Sequence, residues 1–158
     1  MTFNLNDILE IILITYNRKD YLENTLQQIL ASNSPLCNLD ITVLDNKSND
    51  GTSELIDKYS KRYNNIKHII NNRNIGGNAN IAKAFEICSK KYVWVLCDDD
   101  NYDFTHFDEV VEGMENNADI ILTSRYDIEK KENLGTILRQ LTFLPSGIYK
   151  TENITNDV

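Results

Sequence analysis

The chain has 158 residues, a formal net charge of −8, and 41% apolar against 25% charged residues. That is one domain's worth of sequence, enough to bury roughly two-thirds of its unfolded surface in a single core. The acidic balance excludes nucleic acid as a general partner, which needs basic surface, and no apolar run approaches the roughly 18 residues that a membrane span requires.

The opening Met1-Thr2-Phe3-Asn4 lacks the basic and apolar regions of a signal peptide, so a cytoplasmic location is expected, with association at the inner face of a membrane left open for the intact protein. Cys37, Cys88 and Cys97 are odd in number, far apart and without a CxxC pair, which reads as reduced thiols. His68 and His106 share no metal-ligand spacing and read as structural or surface residues.

Along the chain, apolar runs alternate with amphipathic segments, the pattern of a doubly wound, mostly parallel α/β sheet with helices on both faces. Ile8 to Ile14 is a near-continuous apolar run, as in a buried parallel strand. Asp20 to Ala31 follows as a helix with Leu22, Leu26, Ile29 and Leu30 on one face. Ile41 to Leu44 predicts a second strand. Asp50-Gly51-Thr52 then turns the chain into a helix carrying Leu55, Ile56, Tyr59 and Tyr63. A third strand is predicted at Ile66 to Ile70, then a loop from Asn71, then a helix with Ile81, Ala84, Phe85 and Cys88 sharing a face. Tyr92 to Leu96 is the fourth strand. Thr105 is placed to cap a helix lined by Phe107, Val110, Val111 and Met114, and Ile120 to Thr123 predicts a fifth strand. Beyond Ser124 the alternation weakens: Arg125 to Asn133 reads as a charged loop, Leu134 to Phe143 as a short helix, and Gly147 to Lys150 as a strand.

The fourth strand runs directly into Asp98-Asp99-Asp100. Adjacent carboxylates repel one another and resist burial, so three at a strand end serve either to hold a divalent cation or as an acidic turn solvated by water. Oxygen ligands of this kind suit Mg2+ or Mn2+, which commonly bridge to substrate phosphates. Position favours the first reading, because ligands of open α/β sheets gather at the carboxyl ends of the strands. Three other loops fall on that edge: Thr15-Tyr16-Asn17-Arg18, Asp45 to Gly51, and Asn71 to Asn80.

Each loop has a chemical reading and a plain one. Asp45 is either an acceptor for a base N–H or a turn-forming residue. Gly76 and Gly77 permit close approach of backbone to a ligand at a helix start that offers N–H groups to an anion, or are simply a loop. Arg73 is a partner for base or phosphate, or a solvated arginine. Tyr16 lines a base pocket or is a half-buried loop aromatic.

Ile14-Thr15-Tyr16-Asn17-Arg18, the DNxSxDGT pattern from Asp45 to Thr52, Asn74-Ile75-Gly76-Gly77-Asn78 and a DxD motif at Asp98 and Asp100, in this order, resemble family 2 glycosyltransferases of the GT-A fold. The resemblance covers residues 8 to about 125. It implies a nucleotide-sugar site built from Thr15, Tyr16, Asn17, Arg18, Asp45, Asn46, Arg73, Gly76, Gly77, Asn78, Asp98 and Asp99. Asp98 would contact the ribose, and Mn2+ or Mg2+ would be held by Asp98 and Asp100, with Asp99 the ligand in some members. The reaction implied is transfer of a sugar from a nucleoside diphosphate, by family frequency UDP, to a glycan or lipid-linked acceptor, with inversion, in surface polysaccharide synthesis.

In that family the catalytic base lies well past the DxD motif. The acidic residues here after Asp100 fall on a predicted helix, in the charged loop or in the tail, so the base is expected beyond Val158. Residues 1–125 then form the donor-binding core and 126–158 the start of an acceptor-side region, in a chain expected to bind donor but transfer little sugar. Two rivals stand beside this reading. A nucleotidyltransferase would open with a glycine-rich basic loop, but Thr15 to Lys19 holds no glycine; a non-catalytic nucleotide-sugar-binding module would lack turnover.

Overall fold

A computed structural model describes residues 4–122, 125–127, 132–135 and 147–149. The chain divides into two compact units, Met1–Phe104 and Thr105–Val158.

The first unit is built on four parallel strands, β1 (Leu9–Thr15), β2 (Ile41–Asp45), β3 (Ile66–Ile70) and β4 (Tyr92–Cys97), in the order β3-β2-β1-β4. Leu9, Ile11, Ile12, Leu13, Ile41, Val43 and Leu44 are buried, as expected of strands covered on both faces. Fully burying a side chain of this size stabilises by about 1.5–3 kcal/mol, so the β1–β2 pair is the thermodynamic centre of the unit. The helices are α1 (Leu5–Ile8), α2 (Lys19–Ile29), α3 (Thr52–Arg62) and α4 (Gly77–Ile87). On one face Ile12 and Leu44 pack with Ala84 of α4, flanked by Ile14, Ile69, Val93 and Val95. Strand alternation sends Ile11, Leu13, Ile41 and Val43 to the other face, where α3 packs on β3 and against α2. The fold is therefore the expected doubly wound α/β sheet with helices on both faces.

Local departures have physical causes. One turn of helix, α1, precedes β1 and takes up Ile8, the residue expected to open the strand; Asn4 caps it, its side chain accepting from the Asn6 N–H. The apolar face expected on α4 is displaced. Ile81 and Phe85 are exposed, and the inward positions are Ala84 and Asn80. Asn80 turns inward because its amide donates to the Leu44 carbonyl and accepts from Asn71.

The second unit holds α5 (Phe107–Glu115) and short strands. His106, not Thr105, occupies the cap position of α5, without a side-chain capping bond. β5 (Ile120–Leu122) pairs antiparallel with β8 (Gly147–Tyr149), which matches the strand predicted there. The segment read as a charged loop instead contributes β6 (Arg125–Asp127), antiparallel to β7 (Glu132–Gly135). Charge is a poor guide here, since antiparallel strands tolerate a polar face. Leu134 and Gly135, placed in a predicted helix, lie in β7; the rest of that helix and residues 151–158 lie outside the described residues.

Candidate functional site

β1, β2, β3 and β4 end at Thr15, Asp45, Ile70 and Cys97, and the register aligns these ends: Thr15 pairs with Asp45, Asp45 with Ile70, and Ile14 with Cys97. The loops that follow therefore share one edge. β1 connects onward to β2 on one side while β4 lies on its other side, so the winding reverses between β1 and β4, where open α/β sheets bind ligands.

A buried hydrogen bond spans that crevice. Thr15 Oγ1 donates to Asp98 Oδ2 at 2.6 Å, and Thr25 Oγ1 of α2 donates to the Asp98 carbonyl at 2.9 Å. Asp98 is only 4% exposed, and burial pushes its carboxyl above the usual range, partly offset by the Thr15 bond and by Arg18. Arg18 reaches across with its guanidinium, 3.4 Å from Asp98 Oδ1 and in direct contact with Asp99. Asp99, more than the partial burial it opposes, holds the Arg18 charge in place. The acidic turn is thus neutralised in part by a cation of the protein itself.

Asp98 is drawn toward β1, while Cys97 Sγ and carboxylate oxygens of Asp99 and Asp100 lie within 4.8 Å of one another. The resemblance pairs Asp98 with Asp100 as metal ligands; the side chains that stand together here are those of Asp99, Asp100 and Cys97. Two carboxylates and a thiol at this spread form a donor set that fits a divalent cation. Such a cation, when bound, neutralises negative charge brought to the site.

The second loop is braced from within. Asp45 is wholly buried, and its Oδ1 accepts from the Ser48 N–H at 2.8 Å and the Ser48 hydroxyl at 2.6 Å, which fulfils the turn-forming reading. Its Oδ2 is buried without a hydrogen-bond partner, as is His68 Nε2, 3.8 Å away. Burial raises the Asp45 carboxyl, but the Ser48 bonds and the nearby imidazole outweigh it and hold the group below its ordinary range. At 3.8 Å the imidazole stands just beyond hydrogen-bond reach of that oxygen. Asp50 accepts from the Lys19 N–H and from the N–H and hydroxyl of Thr52, doing at the start of α3 what Gly51, at φ +89°, cannot.

Cross-loop bonds lock these segments together. The Asn17 N–H donates to Ser48 and the Asn17 side chain accepts from Asn49. Asn46 Oδ1 accepts from Asn71 and from the Ile75 N–H, while Asn46 Nδ2 donates to Asn74. Lys83 of α4 donates to Asn71 at 2.6 Å. Tyr16, Arg73, Gly76, Gly77 and Asn78 lie on the same edge, all at least partly exposed.

Thr25, Gln28 and Tyr102 join the site without being conspicuous in the sequence. Gln28 donates to the Asp100 carbonyl and accepts from the Tyr102 N–H, and the Tyr102 hydroxyl donates to the Cys97 carbonyl at 2.6 Å. One signal is available: Thr25 interrupts the apolar face of α2 at a buried position, between Leu22 and Leu26.

Residues 10–157 match the profile of Glycosyl transferase family 2. The chain belongs to that family. This family 2 chain is 39% identical over 89 residues to the abequosyltransferase RfbV of Salmonella typhimurium, covering 54% of the chain and 26% of the relative. It is 23% identical over 155 residues to the putative teichuronic acid biosynthesis glycosyltransferase TuaG of Bacillus subtilis, covering 98% of the chain and 60% of the relative. It thus spans less than two-thirds of the length of either. Among solved structures, Staphylococcus aureus TarS 1-349 in complex with UDP-GlcNAc matches with a TM-score of 0.58 at 21% identity, over 73% of this chain and 33% of that one. The mannosyltransferase PcManGT from Pyrobaculum calidifontis, in complex with GDP-Man and Mn2+, matches with a TM-score of 0.57 at 18% identity, over 76% and 35%. These structural matches establish a shared fold.

Proposed function

We propose that the edge between β1 and β4 binds a nucleoside-diphosphate sugar together with a divalent cation, and that this chain serves the donor side of an inverting glycosyl transfer in surface polysaccharide synthesis. The observation that carries the reading is the Thr15–Asp98 hydrogen bond across the point where the winding reverses, with Arg18 and the remaining carboxylates beside it. Family membership and relatives named for cell-surface glycans supply the reaction class.

In this reading Thr15, Tyr16, Asn17, Arg73 and Asn78 surround the nucleoside and Asp98 takes the ribose. Asp45 and Asn46 hold the second loop to the shape of the base. Asp100 is the principal metal ligand, with Asp98 or Asp99 completing the carboxylate set. Gly76 and Gly77 leave the start of α4 open, since a Cβ at either would meet nothing within 4 Å. Arg18 exchanges its carboxylate partners for the diphosphate when donor arrives, a trade between two anions for one guanidinium. UDP is the expected nucleotide, and two TarS structures of this fold hold UDP or UDP-GlcNAc. Calorimetric titration of UDP, GDP, CDP and dTDP in the presence of Mn2+ tests the reading. UDP is expected to bind tightest; heat from none of the four would overturn it.

A further inference from the structure

Lys83 on α4 is half-buried, and its ammonium donates to Asn71, the residue that follows β3. We propose that Lys83 is a positioning residue of the donor site: its ammonium fixes the polarity of a relay of asparagine side chains, Asn71, Asn80, Asn46 and Asn74, that holds the loop before α4 in the shape that receives the nucleotide. This rests on the reading that the edge binds a nucleoside-diphosphate sugar.

An asparagine amide can turn over and exchange its donor and acceptor ends, so a relay of such groups has several hydrogen-bond patterns of similar shape. Here groups that cannot turn over leave one. The Ile75 and Gly76 N–H groups only donate, so the atoms they meet at 3.0 and 2.8 Å, on Asn46 and Asn74, are oxygens. The Leu44 carbonyl only accepts, so Asn80 gives it the Nδ2 group and turns Oδ1 to Asn71. Asn71 then donates to Asn46 Oδ1 and to Asn80 Oδ1, at 2.9 and 2.8 Å, which uses both of its Nδ2 protons. Its Oδ1 is left to Lys83 Nζ at 2.6 Å, a group with three donors and no acceptor.

Lys83 is thus the one end of the relay that a side chain supplies. A hydroxyl or an amide in its place could accept as well as donate and would support the inverted pattern; an ammonium cannot. Asn46, Asn71 and Asn80 are all buried, so an amide with the wrong end inward would set like atoms against one another where water does not reach them. Without the ammonium, Asn71 is free to turn over and Asn46 Oδ1 loses a donor. The disturbance then passes through Asn46 to the Ile75 N–H, and through Asn46 Nδ2 and Asn74 to the Gly76 N–H.

The test combines amide hydrogen exchange with calorimetric titration of UDP in the presence of Mn2+, on the 158-residue chain and three variants. Lys83→Met keeps the apolar stem and removes the donor. Its Ile75 and Gly76 amides are expected to exchange faster while those of the buried strands β1 and β2 keep their protection, which also reports that the variant folds. It should lose at least ~5-fold in UDP affinity, the lower end of the usual coupling between sites. Lys83→Arg, again a donor without an acceptor, should recover most of both effects. Asn71→Asp keeps the side chain's shape and gives Lys83 a charged partner, but it presents an oxygen to Asn46 Oδ1 and Asn80 Oδ1, so it should lose affinity as Lys83→Met does. Unchanged UDP affinity in Lys83→Met, or affinity kept in Asn71→Asp, would overturn the inference and leave the donor-site reading standing. An unmodified chain that binds no nucleotide would overturn both.

Discussion

A buried carboxylate must find donors or give up its charge, and Asp98 meets the first condition only in part. Burial raises its carboxyl while Thr15 and Arg18 pull it back, so the Thr15 hydroxyl supports the charged form of a group the interior disfavours. We expect Thr15→Val to lose about 1–3 kcal/mol of stability in urea denaturation, the cost of removing a donor from a charged acceptor, and Thr15→Ser to lose much less. Equal midpoints for the unmodified chain and Thr15→Val would show that the bond contributes nothing. Residue types at this site are legible in the sequence because carboxylates at strand ends are chemically conspicuous. Pairings are not. Which oxygen of Asp98 meets Thr15, and that Asp45 turns inward to Ser48, follow from strand alternation and loop shape, which the sequence does not display.

Among the elements, the loop into α4 shows most clearly what local geometry demands. Gly76 sits at φ +87° and ψ 155° with its N–H bonded to Asn74, whereas Gly77 opens the helix with φ outside the left-handed range. An added Cβ would find open space at both positions, so any difference between them is backbone strain and not a clash. Gly76→Ala should cost about 1–3 kcal/mol, and Gly77→Ala should be neutral or stabilise by up to about 1 kcal/mol; chemical denaturation of the two variants decides, and equal costs would contradict the strain account.

At the opposite edge, Lys90 donates to the Leu9 carbonyl, Asn6 and Asp40, joining the starts of β1, β2 and β4. The Lys90 bond, more than the opposing burial, holds the Asp40 carboxyl below its ordinary value of 3.8. A depressed folded value means the unfolded chain binds the proton first, so this stabilisation is present above pH 3.8 and is lost as the pH falls through the lower folded value. Asp40→Asn should therefore be less stable than the unmodified chain near neutrality, with the gap closing at the acid end of a pH series. A gap constant with pH would rule out the ion pair as its source. Long periodic elements are readable because burial enforces their period. The face of α4 is not, because Asn80, a polar residue, holds an inward position through bonds to Leu44 and Asn71. The β6–β7 pair escapes a reading by periodicity because its residues are charged.

For the molecule as a whole, sheet order decides where chemistry can occur. The order β3-β2-β1-β4 opens one crevice at the carboxyl edge, between β1 and β4, and the motif residues Thr15, Arg18, Asp98, Asp99 and Asp100 flank it. The placement of these residues is legible in advance, since a doubly wound pattern fixes both the edge and the loops that meet there. Asp98, Asp99 and Asp100 in the turn after β4, offset only in part by Arg18, disfavour a diphosphate at the same edge unless a cation intervenes. The central claim is therefore a linkage between metal and nucleotide. The direct measurement is the affinity of the chain for UDP by titration calorimetry, with Mn2+ and again after chelation. The expected result is binding with Mn2+ that weakens at least ~10-fold on chelation, as removal of a differential interaction worth about 1.4 kcal/mol would produce; equal affinity under both conditions would contradict it.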